Sequence, residues 1–283
     1  MLLAAVAAAW LAPQAAAEPR PAGRWHYRTD CSAPTAQAAG RASMWFAADA
    51  AAWRYDVLER NLTAFSPLNG PPLEAGSVRG LALGADKTCV LWTAGACFAW
   101  SPQGAWQTLP LPRAAEAASE AGIADARFDA DGRLVALAPD GTLHALAGRT
   151  WKPLGRVAGA RRVVPLKIGF FLAAAGDADD AGREKLLYAP PDLSRTREYA
   201  EGSALRFTGV HHYVGPRAYA WFADESGQAA LCQITPTELP VKARGDHMGV
   251  DLKREGLLSA SRSTDAETGA AVLRVTSLED GRV

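Results

Sequence analysis

Surplus charge is missing from this chain: 30 Lys and Arg balance 30 Asp and Glu. A net charge of zero leaves no polyanion footprint, which sets nucleic acid aside as a partner. Cysteine is scarce, at four residues, and no Cys-x-x-Cys pair occurs, so the linear signature of zinc or dithiol redox chemistry is absent. No Gly-x-Ser-x-Gly pattern marks a nucleophile elbow. Beyond the N-terminus no apolar run is long enough to cross a bilayer. What remains, over 283 residues, is 49% hydrophobic and 21% charged side chains, the balance of an ordinary globular protein with ample chain for a core.

Residues 1–17, MLLAAVAAAWLAPQAAA, hold no charged side chain, and Glu18 opens a polar segment. An apolar run ending in small residues reads as a secretory signal peptide, cleaved after Ala15-Ala16-Ala17. Only the α-amino group supplies charge ahead of the run, a gap that a start codon further upstream would fill. Pro13 and the many alanines argue against a permanent anchor. The alanine and arginine bias is that of a high-GC bacterial genome. Residues 18–283 are therefore expected in the periplasm or outside the cell, as a single domain with no membrane span.

After cleavage Cys31, Cys89, Cys97 and Cys232 remain, and an exporting cell permits them to pair. Cys89 and Cys97 flank the turn Thr93-Ala94-Gly95 and form the disulfide candidate. The register decides the matter. A two-residue loop at Ala94-Gly95 pairs Trp92 with Cys97 and sends the two sulfurs to opposite faces. A three-residue loop centred on Thr93 sets Cys89 directly opposite Cys97, within disulfide reach.

The mature chain is mostly short runs of β-formers separated by Gly and Asp turns. Residues 126–155, ARFDADGRLVALAPDGTLHALAGRTWKPLG, break into four strands at Asp131-Gly132, Asp140-Gly141 and Gly148-Arg149. Asp-Gly between alternating runs is a strong hairpin signal, so this stretch reads as a four-stranded meander. The same order of strands and turns recurs over residues 24–68, 77–111, 161–200, 204–242 and 246–283, the last ending in the stub Arg282-Val283. Residues 18–283 thus divide into six units of about 44 residues, the length of a propeller blade. Residues 113–122 carry helix formers, and APTAQAAG and NGPPLEAG read as surface loops.

With its D-A-D-G-R-L and P-D-G-T-L-H-A-L turns, the sequence resembles the β-propeller superfold, in the manner of quinoprotein-type or lactonase-type rings. The Trp-Asp dipeptide, the Tyr-Trp-Thr-Asp motif and the sialidase Asp box are absent, so no narrower family follows. The resemblance implies an all-β fold of six four-stranded blades; a pair of β-sandwiches is the alternative. The N-terminal segment at Trp25–Thr29 is expected to complete the last blade by pairing with Ala271–Leu278, since an open sheet edge invites self-association.

Candidate chemistry is thin. Asp177–Gly182 starts like a calcium loop but has Ala at the fifth position and Tyr188 at the twelfth, so it reads as a solvated turn, like Asp265–Glu267. His211-His212-Tyr213 is the one clustering of ring nitrogens; adjacent strand residues point to opposite faces, so the two histidines cannot chelate one ion together. His211, His212, Tyr213, Asp246 and His247 are the candidate ligand-binding residues, because both segments are placed to line a central channel. No metal and no cofactor is expected, and most tryptophans are assigned to packing between blades. The expected function is an exported, non-catalytic propeller holding a small molecule, a peptide or an envelope protein on one face. The alternative is a hydrolase, lactonase or lyase with its active site in the channel.

Overall fold

The computed structural model describes residues 36–277 except 40–42, 49, 57, 75–76, 85, 104, 114–121, 177–183, 201–204, 215–216, 246, 252–255 and 265–270. The leader, Cys31, the closing segment Trp25–Thr29, most of the helix expected at 113–122, the Asp177–Gly182 loop, Asp246 and Asp265–Glu267 lie outside the described residues. Among the described residues no helix is long and apolar enough to cross a membrane.

Strands follow one another as antiparallel meanders. The first comprises β1 (Ala36–Ala39), β2 (Ser43–Ala48), β3 (Ala51–Asp56) and β4 (Asn61–Phe65). The second comprises β5 (Val78–Leu83), β6 (Cys89–Thr93), β7 (Cys97–Trp100) and β8 (Trp106–Leu109). In the third are β9 (Asp125–Phe128), β10 (Leu134–Leu137), β11 (Thr142–Ala147) and β12 (Thr150–Arg156), with all three Gly-containing turns where the sequence places them. The fourth runs β13 (Ala160–Leu166), β14 (Gly169–Ala175), β15 (Glu184–Ala189) and β16 (Arg197–Glu198). The fifth runs β17 (Leu205–Val214), β18 (Arg217–Asp224), β19 (Ala229–Ile234) and β20 (Val241–Gly245). A last sheet has three strands, β21 (His247–Asp251), β22 (Gly256–Thr264) and β23 (Ala271–Ser277).

First strands meet first strands, β1 against β5, β5 against β9 and β9 against β13, which sets them innermost. Four-stranded sheets arrayed in sequence order with their first strands at the centre are the blades of a β-propeller. Complete blades number five, not the expected six, because the sheet over 247–277 has three described strands. The innermost strand of the first blade is Ala36–Ala39, which corrects the reading of APTAQAAG as a surface loop. Innermost strands crowd together, and Ala36 and Ala38 have side chains small enough to pack there against the cluster shared with the second blade.

Blade-to-blade packing explains the unbroken apolar runs of the middle strands. In β10, Leu134 and Ala136 join the cluster facing the second blade while Val135 and Leu137 join the one facing the fourth. In β14, Phe170 and Leu172 turn to the third blade, Phe171 and Ala173 to the fifth. A strand buried on both faces has no polar alternation to show. The cluster between the first two blades stacks Trp45 on Phe65 at 5.5 Å, with Trp100 at 5.0 Å and Trp106 at 5.9 Å from Trp45.

The cysteine expectation is corrected by the same geometry. Trp92 pairs with Cys97 and Cys89 with Trp100, the two-residue-loop register. Cys89 therefore faces the first blade and Cys97 the third, and both are buried free thiols.

At least four hairpins share one five-residue loop, at 84–88, 129–133, 138–142 and 224–228. Asp129 Oδ1 accepts the amides of Asp131 and Arg133, at 3.0 and 2.8 Å, and Asp224 Oδ1 those of Ser226 and Gln228, both at 3.0 Å. The fourth loop residue is Gly132, Gly141 or Gly227, with φ of +80°, +85° and +81°. In the loop at 84–88 that position is Lys87, at φ +69°. A side chain there costs more than glycine's extra unfolded-state entropy, so Lys87→Gly is expected to stabilise the protein by about 0.5–1 kcal/mol. Urea titration reads this directly; an unchanged or lowered midpoint contradicts it.

Candidate functional site

Alternation along β9 puts Asp125 and Arg127 on one face of an innermost strand, and the next residue on that alternation is Asp129. Asp125 is 5% exposed. One of its oxygens lies 3.1 Å from an Arg127 guanidinium nitrogen, and the other accepts the Val163 amide of β13 at 3.0 Å. Burial pushes the Asp125 carboxyl above its ordinary range; Arg127, the Val163 amide and Arg162 oppose that without cancelling it.

Arg127 reaches further. It donates to the Gly209 carbonyl of β17 at 3.1 Å, the Leu81 carbonyl of β5 at 3.4 Å and its neighbour Ala126 at 3.2 Å. One guanidinium thus joins the second, third and fifth blades across the axis. Gly209 sits where β17 slips register against β18, with φ +87°, and a Cβ there would lie 2.0 Å from an Arg162 nitrogen. Only glycine allows β17 to turn its carbonyl to Arg127 and seat Arg162 on its backbone.

Further along β17, His211 and Tyr213 share a face and meet edge to face at 5.3 Å. The Tyr213 hydroxyl donates to the Pro165 carbonyl of β13. Burial first, then the Asp129 carboxylate, push the Tyr213 hydroxyl well above its usual range, with Arg127 acting the other way. Asp129 is itself held by its turn amides and by Arg133 Nε at 2.9 Å.

Of the candidate residues, His211 and Tyr213 are brought together on an innermost strand. His212 pairs with Tyr219 along the same strand. His247 opposite Ala260 begins β21, and its sheet meets the fifth blade through β19 and β20. Among the described residues no group of three His, Cys, Asp or Glu is placed to hold a metal ion. Sequence reasoning missed Asp125, Arg127, Arg162 and Gly209. The available signal was the alternation Asp-x-Arg-x-Asp in a strand whose neighbours are apolar.

No family model matches the chain, and a search of curated proteins finds no relative. Solved structures match in fold. The WD40 β-propeller domain of Doa1 aligns with a TM-score of 0.52 at 10% identity, over 88% of this chain and 83% of that one. A catalytically inactive virginiamycin B lyase from Staphylococcus aureus, crystallised with quinupristin, aligns with a TM-score of 0.50 at 14% identity over 71% of this chain. The chain spans 66% of that lyase, just under two thirds of its length. At these identities the likeness speaks for the propeller alone, a fold that hosts unrelated functions.

Proposed function

We propose that residues 18–283 form an exported, non-catalytic propeller that holds a peptide, a small molecule or an envelope partner on the ring face carrying His211 and Tyr213. The observation that supports this reading is how the axial ionisable groups are used. Both Asp125 oxygens are engaged, by Arg127 and by the Val163 amide, and the Tyr213 hydroxyl is engaged by Pro165. A general acid or base needs a proton or lone pair within reach of substrate. Groups bonded to one another and to backbone instead shape and stiffen a surface. The half-buried His211–Tyr213 pair then supplies an aromatic and polar edge of the kind ligand sites use.

One observation favours the enzyme reading, a hydrolase, lactonase or lyase of the channel: Asp125 is a buried carboxyl held above its ordinary range beside a guanidinium. A thermal-shift screen of the purified protein against short peptides and small metabolites tests the binding reading. Ligands are expected that raise the melting temperature of wild type and not of His211→Ala, and that are recovered chemically unchanged. Ligands acting equally on His211→Ala, or turned over, overturn it. Export rests on residues 1–17. N-terminal sequencing of protein from the periplasm or culture fluid is expected to begin at Glu18, and retention of Met1 contradicts it.

A further inference from the structure

His144 is the second chemical oddity of the third blade, and neither its sequence position nor the axial site accounts for it. It lies in β11 opposite Ala136 of β10 and Pro153 of β12, where the β11–β12 pairing slips register. Cross-strand partners share a face, so the imidazole lies on the side of Ala136, which packs in the cluster of Val90, Trp92 and Cys97 from the second blade. It is 3% exposed, and neither ring nitrogen has a hydrogen-bond partner. Thr142, two residues earlier on the same face, is also buried with its hydroxyl unpartnered. A neutral imidazole without partners is tolerable in such a place; an imidazolium with no acceptor is not.

We infer that His144 is an acid-sensitive latch between the second and third blades, closed while the ring is neutral and released when it takes up a proton. The groups facing it make the response one-directional. Ala136 and Pro153 carry no charge. Cys97, from the second blade, is titratable, but burial pushes its thiol up to about 12, so it stays neutral. Among the described residues the charge acting on the ring is Asp140, in the turn before β11, and it is outweighed: burial holds the imidazole below its ordinary pKa. The sign follows from linkage. Below the ordinary imidazole pKa the unfolded chain binds the proton and the native chain resists it, so stability falls with falling pH. The loss begins at the ordinary imidazole pKa and continues down to the depressed native value. A chain exported as proposed would meet such acid outside the cytoplasm.

The test compares the full chain with His144→Leu and His144→Phe. Between about pH 8 and about pH 5 the melting temperature of wild type is expected to fall by roughly 2–4 °C more than that of either variant. Hydrogen exchange gives the local readout. At about pH 5 the wild-type amide of Ala124, bonded to the Leu137 carbonyl, and the Trp151 indole, bonded to Pro110, are expected to lose protection before the fourth and fifth blades do. Equal pH dependence in wild type and variants overturns the inference, as does loss of protection that is uniform across the blades. Should neither variant fold, the wild-type ring resonances decide. A His144 that becomes charged at the pH of a free imidazole while the second and third blades stay protected also overturns it.

Discussion

Arg127→Met is expected to lower the unfolding free energy by about 3–5 kcal/mol, among the largest effects of any single substitution in this protein. The side chain is 15% exposed and its partner Asp125 7%. Removing the guanidinium strands a carboxylate among apolar strands and strips its donor from the carbonyls of Leu81 and Gly209. A buried acceptor left unmade costs more than a made bond contributes. Because those two carbonyls and the guanidinium itself belong to three blades, the loss is not confined to one sheet. Arg127→Lys keeps the charge but not the planar fork, so it is expected to recover a minority of the loss. Asp125→Asn is expected to destabilise by a similar amount, since it leaves the guanidinium uncompensated. The double variant Asp125→Leu with Arg127→Met should then be more stable than either single one, the signature of a buried pair. Urea titrations of the four proteins settle it. A loss below about 1 kcal/mol for Arg127→Met would mean the guanidinium is a surface group in solution.

Trp45→Ala is expected to cost about 3–5 kcal/mol for a different reason. Trp45 is 1% exposed at the centre of the Phe65–Trp100–Trp106 cluster, and the flanking β-strands cannot collapse into the volume it leaves. The ring–ring geometry adds to area burial, so a Trp45→Ala, Trp100→Ala cycle should show coupling of about 0.5–1.5 kcal/mol. Leu68→Ala serves as the control, because Leu68 is 83% exposed. Its effect should stay within about 0.5 kcal/mol. If Trp45→Ala proves no more costly than Leu68→Ala, the first two blades do not pack as described.

Hairpins were legible in the residues because turn chemistry is local. Asp131-Gly132 and Asp140-Gly141 place glycine at φ +80° and +85°, where other residues are strained, and the strands on either side follow. A further loop of this kind, Asp224 to Gln228, was harder to see, since its glycine follows Glu225 and Ser226 rather than an aspartate. Ala36–Ala39 was illegible as a strand: alanine has low β-propensity, and only the crowding of first strands at the axis selects it. Cys89 and Cys97 fitted two registers equally well until the pairing of Trp92 with Cys97 chose one. The axial site was hidden further still, because Asp125 and Arg127 of β9 meet Gly209 of β17 across two blades and no linear spacing records that.

The sequence by itself determined an all-β chain, the turn positions and the division into blade-length units, because period, glycine and aspartate act over a few residues. Tertiary structure alone decided that five of the blades are complete and that two cysteines face away from each other. It also decided that an arginine on one blade closes on a carbonyl two blades away. Those outcomes depend on how strands far apart in the chain meet around an axis. There burial sets the cost of every unpaired charge, and a neighbour's shape, not the residue's own propensity, selects what fits.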